Sequence, residues 1–212
     1  MPNYCEDTIQ INGKKEDIFD FFKKVGFNGE TKESLLEFIE NNKDKITMRS
    51  WLPMPQTFVD YDTTNRKLGK NYFNSDEEYE NYSKGYDTAV EHQKETYGAV
   101  GWYAYNLKTL GVKWDAKVFD YCVSMDEDDG VLCVKGVFDT AWCAPLMWVT
   151  TIAKENPKLS FDLDGYEYRC GFHQGISCEN GEVIYEIDED IECDEDEWEE
   201  WEEDEDEWEK DE

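Results

Sequence analysis

The sequence predicts an α+β fold, an antiparallel sheet with helices on one face. Three observations predict it. Segments that alternate polar and apolar residues (7–12, 117–124, 131–138, 159–163) are interleaved with segments whose apolar residues recur at helical spacing (15–25, 144–156). The connector MDEDDG, between two of the alternating segments, has the chemistry of a hairpin turn. The stretch 101–148 holds four of the eight tryptophans, enough apolar bulk for the flanking elements to pack on.

The elements follow in order. DTIQIN (7–12) is a first strand, ended by Gly13. KEDIFDFFKKV places Ile18, Phe21, Phe22 and Val25 on one helical face, and Gly26 closes it. Thr31 is the N-cap of KESLLEFIENN, with Ser34 at the capping-box position and Leu35, Leu36 and Ile39 as its stripe. ITMRSWL (46–52) reads as a strand stopped by Pro53 and Pro55. The polar, tyrosine-rich region 56–100 reads as a partly helical insertion, with Ser75 as N-cap and acids in the first turn. Residues 100–110 form a helix closed by Gly111. After the hairpin, Thr140 can cap a helix that carries Pro145 in its first turn and runs to about Asn156. A strand at 159–163, a turn at Asp164-Gly165, a strand at 166–174 and a last strand at 182–187 complete a domain spanning 1–187. Residues 188–212 are a tail.

Charge divides the chain in the same place. It carries 52 acidic and 21 basic residues, a net −31. Of these, 20 acids and one lysine lie in 186–212, a net −19; the rest has 32 acids against 20 bases, a net −12. Blocks of like charge stay solvated or serve as interaction tails. Direct binding to nucleic acid is excluded on this balance, because neutralising phosphate needs clustered Lys and Arg. The start, MPNYCEDTIQ, has neither the basic nor the apolar segment of a signal peptide, and no apolar run reaches the ~20 residues that span a bilayer. The expectation is a cytoplasmic protein that does not engage membranes. The seven cysteines are odd in number and form no C-x-x-C, so they read as reduced thiols without a structural disulfide.

Three passages resemble one family, the YubB ferredoxin-like or Api92-like proteins of phages and plasmids. They are MPNYCEDTIQING followed by KEDI, then WLPMPQT, then YNLKTLGVKWDA with FDTAWCAPLMWV and FDLDGYEYRCGFHQG. The resemblance implies a ferredoxin-like fold for residues 1–187 and an association with mobile elements. It implies no reaction. Tyr4 stands where the family usually has Trp, and Cys143-Ala144 where it often has Ser-Pro. The insertion and the acidic tail are not among the family's features.

Candidate chemistry is sparse. Only His92 and His173 could act as an imidazole base. His173 lies three residues from Cys170 on an expected strand, where i and i+3 face opposite ways, which speaks against a Cys–His pair. Cys170, His173, Cys178 and Cys193 have the right donor types for zinc but not the two tight pairs of a structural site; no metal and no cofactor is expected. The acids Asp126 to Asp129, Asp162, Asp164 and Glu167 read as solvated loop carboxylates. Trp102, Trp114, Trp142 and Trp148 read as core. The tail departs from this pattern: Trp198, Trp201 and Trp208 fall on one helical face among acids that include Glu199, Glu200, Glu202 and Glu203. The expected function is therefore a non-enzymatic interaction protein that binds, and can block, a basic host protein through its acidic surface and tail. Nucleic-acid-handling and defence factors are the natural targets, the tail mimicking nucleic-acid charge. The alternative is a small-ligand binder or enzyme with a site on the sheet face around Trp114, Asp115, Asp139 and Trp142.

Overall fold

The computed structural model describes residues 3–61, 63, 67–128, 130–168 and 171–191. Six strands form one antiparallel sheet in the order β2-β3-β1-β4-β5-β6. They are β1 (Tyr4–Lys14), β2 (Cys122–Asp128), β3 (Val131–Ala141), β4 (Ser160–Glu167), β5 (Phe172–Glu179) and β6 (Glu182–Asp190). The first four, with α1 (Lys15–Lys23) after β1 and α7 (Leu146–Glu155) after β3, give the β-α-β-β-α-β order of a ferredoxin-like fold. β5 and β6 extend the sheet beyond β4.

One face of the sheet is covered. On β1 the buried residues are Cys5, Asp7, Ile9 and Ile11, and on β3 Leu132, Val134, Phe138 and Thr140. Their neighbours in sequence, such as Glu6 and Lys135, lie on the other face, as the period of two requires. Ile18, Phe21 and Phe22 of α1 and Trp148, Val149 and Ile152 of α7 bury against the covered side. An aromatic chain joins them: Phe21 stacks on Trp51 at 4.9 Å, Trp51 lies 6.1 Å from Trp148, and Trp148 lies 6.3 Å edge-on to Phe138.

Between β1 and β2 the chain forms α2 (Lys32–Asn42), α3 (Met48–Trp51), α4 (Gln56–Asp60), a 3₁₀ turn (Lys70–Tyr72), α5 (Asp76–Tyr97) and α6 (Gly101–Thr109). Thr31 and Ser34 cap each other's backbone N–H reciprocally. Ser75 accepts from the Glu78 N–H, and Gly98 ends α5 at φ +63. Buried Gln93 holds α4, α5 and α6 together: its Oε1 accepts from the Thr63 hydroxyl and the Gly101 N–H, and its Nε2 donates to the Thr57 carbonyl. The Arg49 guanidinium joins α3 to α6, donating to the Leu52 carbonyl, Asn106 and Thr109 while lying 4.9 Å from the Tyr105 ring.

Several expectations are corrected. Residues 46–52 are not a strand. Thr47 makes one bridge to Lys117, and α3 follows because Ser50 caps the Thr47 N–H and Asp115 accepts from the Arg49 N–H at 3.0 Å. The strand expected at 117–124 begins at Cys122, though it pairs with β3 as anticipated; Asp126 to Asp128 belong to its ladder, which closes at Asp128↔Val131. Thr140 does not cap α7. Its hydroxyl lies against Asp7 and the Cys143 carbonyl, and α7 starts after Pro145. Asp164-Gly165 is not a turn but the middle of β4, with Gly165 opposite Asp7. A Cβ on Gly165 would meet Asp7 Oδ1 at 2.4 Å, so the glycine serves close strand packing.

Two tryptophans expected in the core are not there. Trp114 is 40% exposed and Trp142 51% exposed, whereas Trp148 is fully buried. Trp142 also has φ +78, a left-handed conformation that disfavours a bulky side chain. Trp148→Ala is accordingly expected to cost about 3–5 kcal/mol, as large core aromatics do when truncated. Trp142→Ala and Trp114→Ala should each cost less than about 1 kcal/mol, in the range of surface changes. Denaturant melts of the three variants check this ordering.

Candidate functional site

The uncovered face of the sheet is set by strand parity and register. It carries Glu6 on β1, Asp126 on β2, Asp139 on β3, Asp162 and Asp164 on β4 and Glu189 on β6, against Lys14 and Lys135. Exposed or half-buried tyrosines stand among the acids. Tyr4 is exposed beside Glu6, and Tyr166 pairs across to Glu6 on one side and His173 on the other. The His173 ring stacks on Tyr166 with centroids 4.2 Å apart and planes 3° off parallel, and Tyr168 lies near-parallel to Tyr166 with centroids 6.0 Å apart.

His173 lies between two carboxylates, its Nε2 3.2 Å from Asp164 Oδ1 and its Nδ1 3.4 Å from Glu189 Oε1. A neutral imidazole donates to one of them and a protonated one to both. The ring is thus fixed by stacking and by acids, with no nucleophile among these contacts. Cys178 points to the covered face, opposite His173, so those two members of the zinc set stand on different sides of the sheet. Cys170 and Cys193 lie outside the described residues. Among the described residues no three His, Cys, Asp or Glu side chains are placed to share a metal ion.

Each residue of the expected ligand site, or its neighbour, has a partner in the structure. Asp115 caps α3 through the Arg49 N–H, and the Lys113 ammonium lies 4.3 Å over the Trp114 ring. Asp139 accepts from the Tyr121 hydroxyl, which pushes the Tyr121 pKa up to about 12, with partial burial adding to the effect. Trp142 follows the end of β3, its N–H donating to the Asn3 carbonyl. The tail residues Trp198, Trp201, Trp208, Glu199, Glu200, Glu202 and Glu203 lie outside the described residues. An open depression of about 500 Å³ between α4 and α5 is lined by Asp60, Tyr61, Lys84 and His92, well away in sequence from every expected site residue.

Two acids that the sequence did not place in the interior are buried on the covered face: Asp7, and Glu167, which is not the solvated loop carboxylate expected. Asp7 is fully buried, touched by Thr140 and by the Cys5 thiol at 3.6 Å. Burial holds its carboxyl well above the ordinary range, outweighing the hydrogen bonds from Thr140 and Cys5. The same burial, with Asp7 beside it, pushes the Cys5 thiol far up. The Thr140 hydroxyl reaches both Asp7 and, at 2.7 Å, the Cys143 carbonyl, so its single proton is shared between two acceptors. Being enclosed, this carboxyl meets no solute and is a packing element. Strand alternation across 7–12 is the signal that sets Asp7 on the same face as Ile9 and Ile11.

No family model matches the chain, and no curated protein matches it. Among solved structures it is similar to the crystal structure of the protein api92 from Yersinia pseudotuberculosis, of family model DUF1281. The two share 10% sequence identity and a TM-score of 0.40 over 91% of this chain and 99% of that one. At that score the likeness places no site on this chain. No described helix is long and apolar enough to cross a membrane.

Asp7 gives a pH test. A carboxyl whose pKa is raised on folding stabilises the fold fully below its unfolded value, and that contribution is lost as pH rises through the folded value. Asp7→Asn, neutral at every pH, should therefore melt higher than the parent at neutral pH. The gain should shrink as the pH falls towards about 4, the ordinary aspartate range. Melting curves of both proteins across pH check the sign.

Proposed function

We propose that the chain is a non-enzymatic interaction protein of phage or mobile-element type. It binds, and can block, a basic host protein in the cytoplasm through its acidic surface and tail. The observation that carries the reading is the uncovered sheet face, where Glu6, Asp139, Asp164 and Glu189 stand beside exposed or half-buried tyrosines rather than around an enclosed site. Aromatic side chains at a surface supply contact area at low entropy cost, and carboxylates steer a basic partner into place. The same aromatics could stack on bases, but a face this acidic repels phosphate, so nucleic acid is disfavoured as a direct ligand. The mobile-element origin follows the resemblance to the YubB and Api92-like proteins. A host factor with a basic groove, such as a nucleic-acid-handling or defence protein, fits the charge.

The tail adds to this surface. A net −19 over 186–212 repels itself, and a basic partner relieves that repulsion. Trp198, Trp201 and Trp208 then anchor the segment by contacts that salt does not screen. Deleting 192–212 should weaken binding to a basic partner recovered with the full chain, most strongly at low salt. A Trp198/Trp201/Trp208→Ala triple variant should lose affinity that persists at high salt. Equal affinity of the deletion and the full chain at both salt concentrations would reduce the tail to a solubility device.

A further inference from the structure

We propose that the free edge of β6 accepts an extended Lys- and Arg-rich segment of the partner as a seventh strand. This rests on the reading of the chain as a binder of basic proteins and names the element that does it. Among the described residues β6 is the last strand of the sheet, and eight of its nine residues are exposed. The ladder to β5 fixes which backbone groups are free. The Ile191 N–H donates to the Gly171 carbonyl, and the register continues through His173↔Glu189 and Gly175↔Ile187. In an antiparallel pair such residues alternate with ones whose N–H and C=O point away. Glu186, Asp188 and Asp190 therefore turn their backbone donors and acceptors outward.

The side chains of these three residues also share one side of the strand, with Tyr185, Ile187 and Glu189 on the other. A row of carboxylates two residues apart repels itself, and cations opposite relieve that repulsion. An added strand would set Lys or Arg on the side of Glu186, Asp188 and Asp190, and apolar residues beside Tyr185 and Ile187. Main-chain hydrogen bonds give such an addition its affinity, and the alternate side chains its selectivity. A second copy of this chain is a poor occupant, because it would bring the same carboxylates to the edge. The tail is poor for the same reason.

The test uses the full chain and a synthetic peptide of alternating lysine and valine, with alternating glutamate and valine as control. Amide exchange is followed at Glu186, Asp188 and Asp190. The lysine peptide is expected to slow exchange at these three amides, and the glutamate peptide is not. Glu186→Pro removes one outward donor and no bond to β5, so it should weaken the lysine peptide about tenfold, the scale of a lost hydrogen bond with its strain. Exchange on the unsubstituted chain keeps the test decisive should that variant fold poorly. Lysine-peptide binding that leaves all three amides unprotected and is indifferent to Glu186→Pro would overturn strand addition while sparing the acidic-binder reading. Absence of binding by any basic polypeptide would sink both. Protection without peptide that rises with protein concentration, or that vanishes on deleting 192–212, would assign the edge to a second copy or to the tail and overturn the proposal.

Discussion

The alternation along β1 governs the rest of the molecule. β1 is paired with β3 on one side and β4 on the other, so its parity fixes which side chains of every strand face the helices. Cys5, Asp7, Ile9 and Ile11 lie on the covered side, and α1 and α7 pack there. A slip of one residue would turn Glu6, Asp162 and Asp164 into the core and expose the isoleucines, a cost no surface contact could offset. The close approach of Gly165 to Asp7 narrows the register further, because a side chain at 165 would strike that carboxyl. The acidic outer face is thus the complement of the core, held in place by the same pairing.

Much of this order could be read in the sequence. The central strands, the cap at Thr31, the start of α5 at Ser75, the left-handed glycines that end helices and the hairpin joining β2 to β3 follow local rules, and the structure has all of them. What escaped depends on contacts distant in sequence. ITMRSWL has the composition of a strand, yet the carboxylate of Asp115, far along the chain, stabilises a helical turn there. Asp-Gly normally signals a turn, but at 164–165 the glycine answers a steric demand from β1. Trp142 lies in a strongly apolar stretch, and only its left-handed backbone and exposure distinguish it from Trp148.

The surface was less legible than the fold for a related reason. Assigning Asp164 to a turn broke the period of two across β4, and with it the placement of Tyr166, His173 and Glu189 in one row. Once register is known, scattered acids become a patterned face, and His173 becomes a ring held between stacked tyrosine and flanking carboxylates. The expected grouping of Trp114, Asp115, Asp139 and Trp142 rested on composition rather than on register. In the structure Asp115 accepts from the Arg49 backbone N–H and Asp139 from the Tyr121 hydroxyl, contacts that the sequence did not reveal.

The exposed edge of β6 also ties the protein's solubility to acidity. Its outer backbone groups are as ready to join another sheet as to join a partner, and in neutral solution ionised side chains keep copies of the chain apart. The chain as a whole loses its net negative charge near its isoelectric point of about 4.2. Towards that pH the electrostatic barrier between edges disappears while Val183, Ile184 and Tyr185 remain exposed. Mild acid therefore favours edge-to-edge association and precipitation.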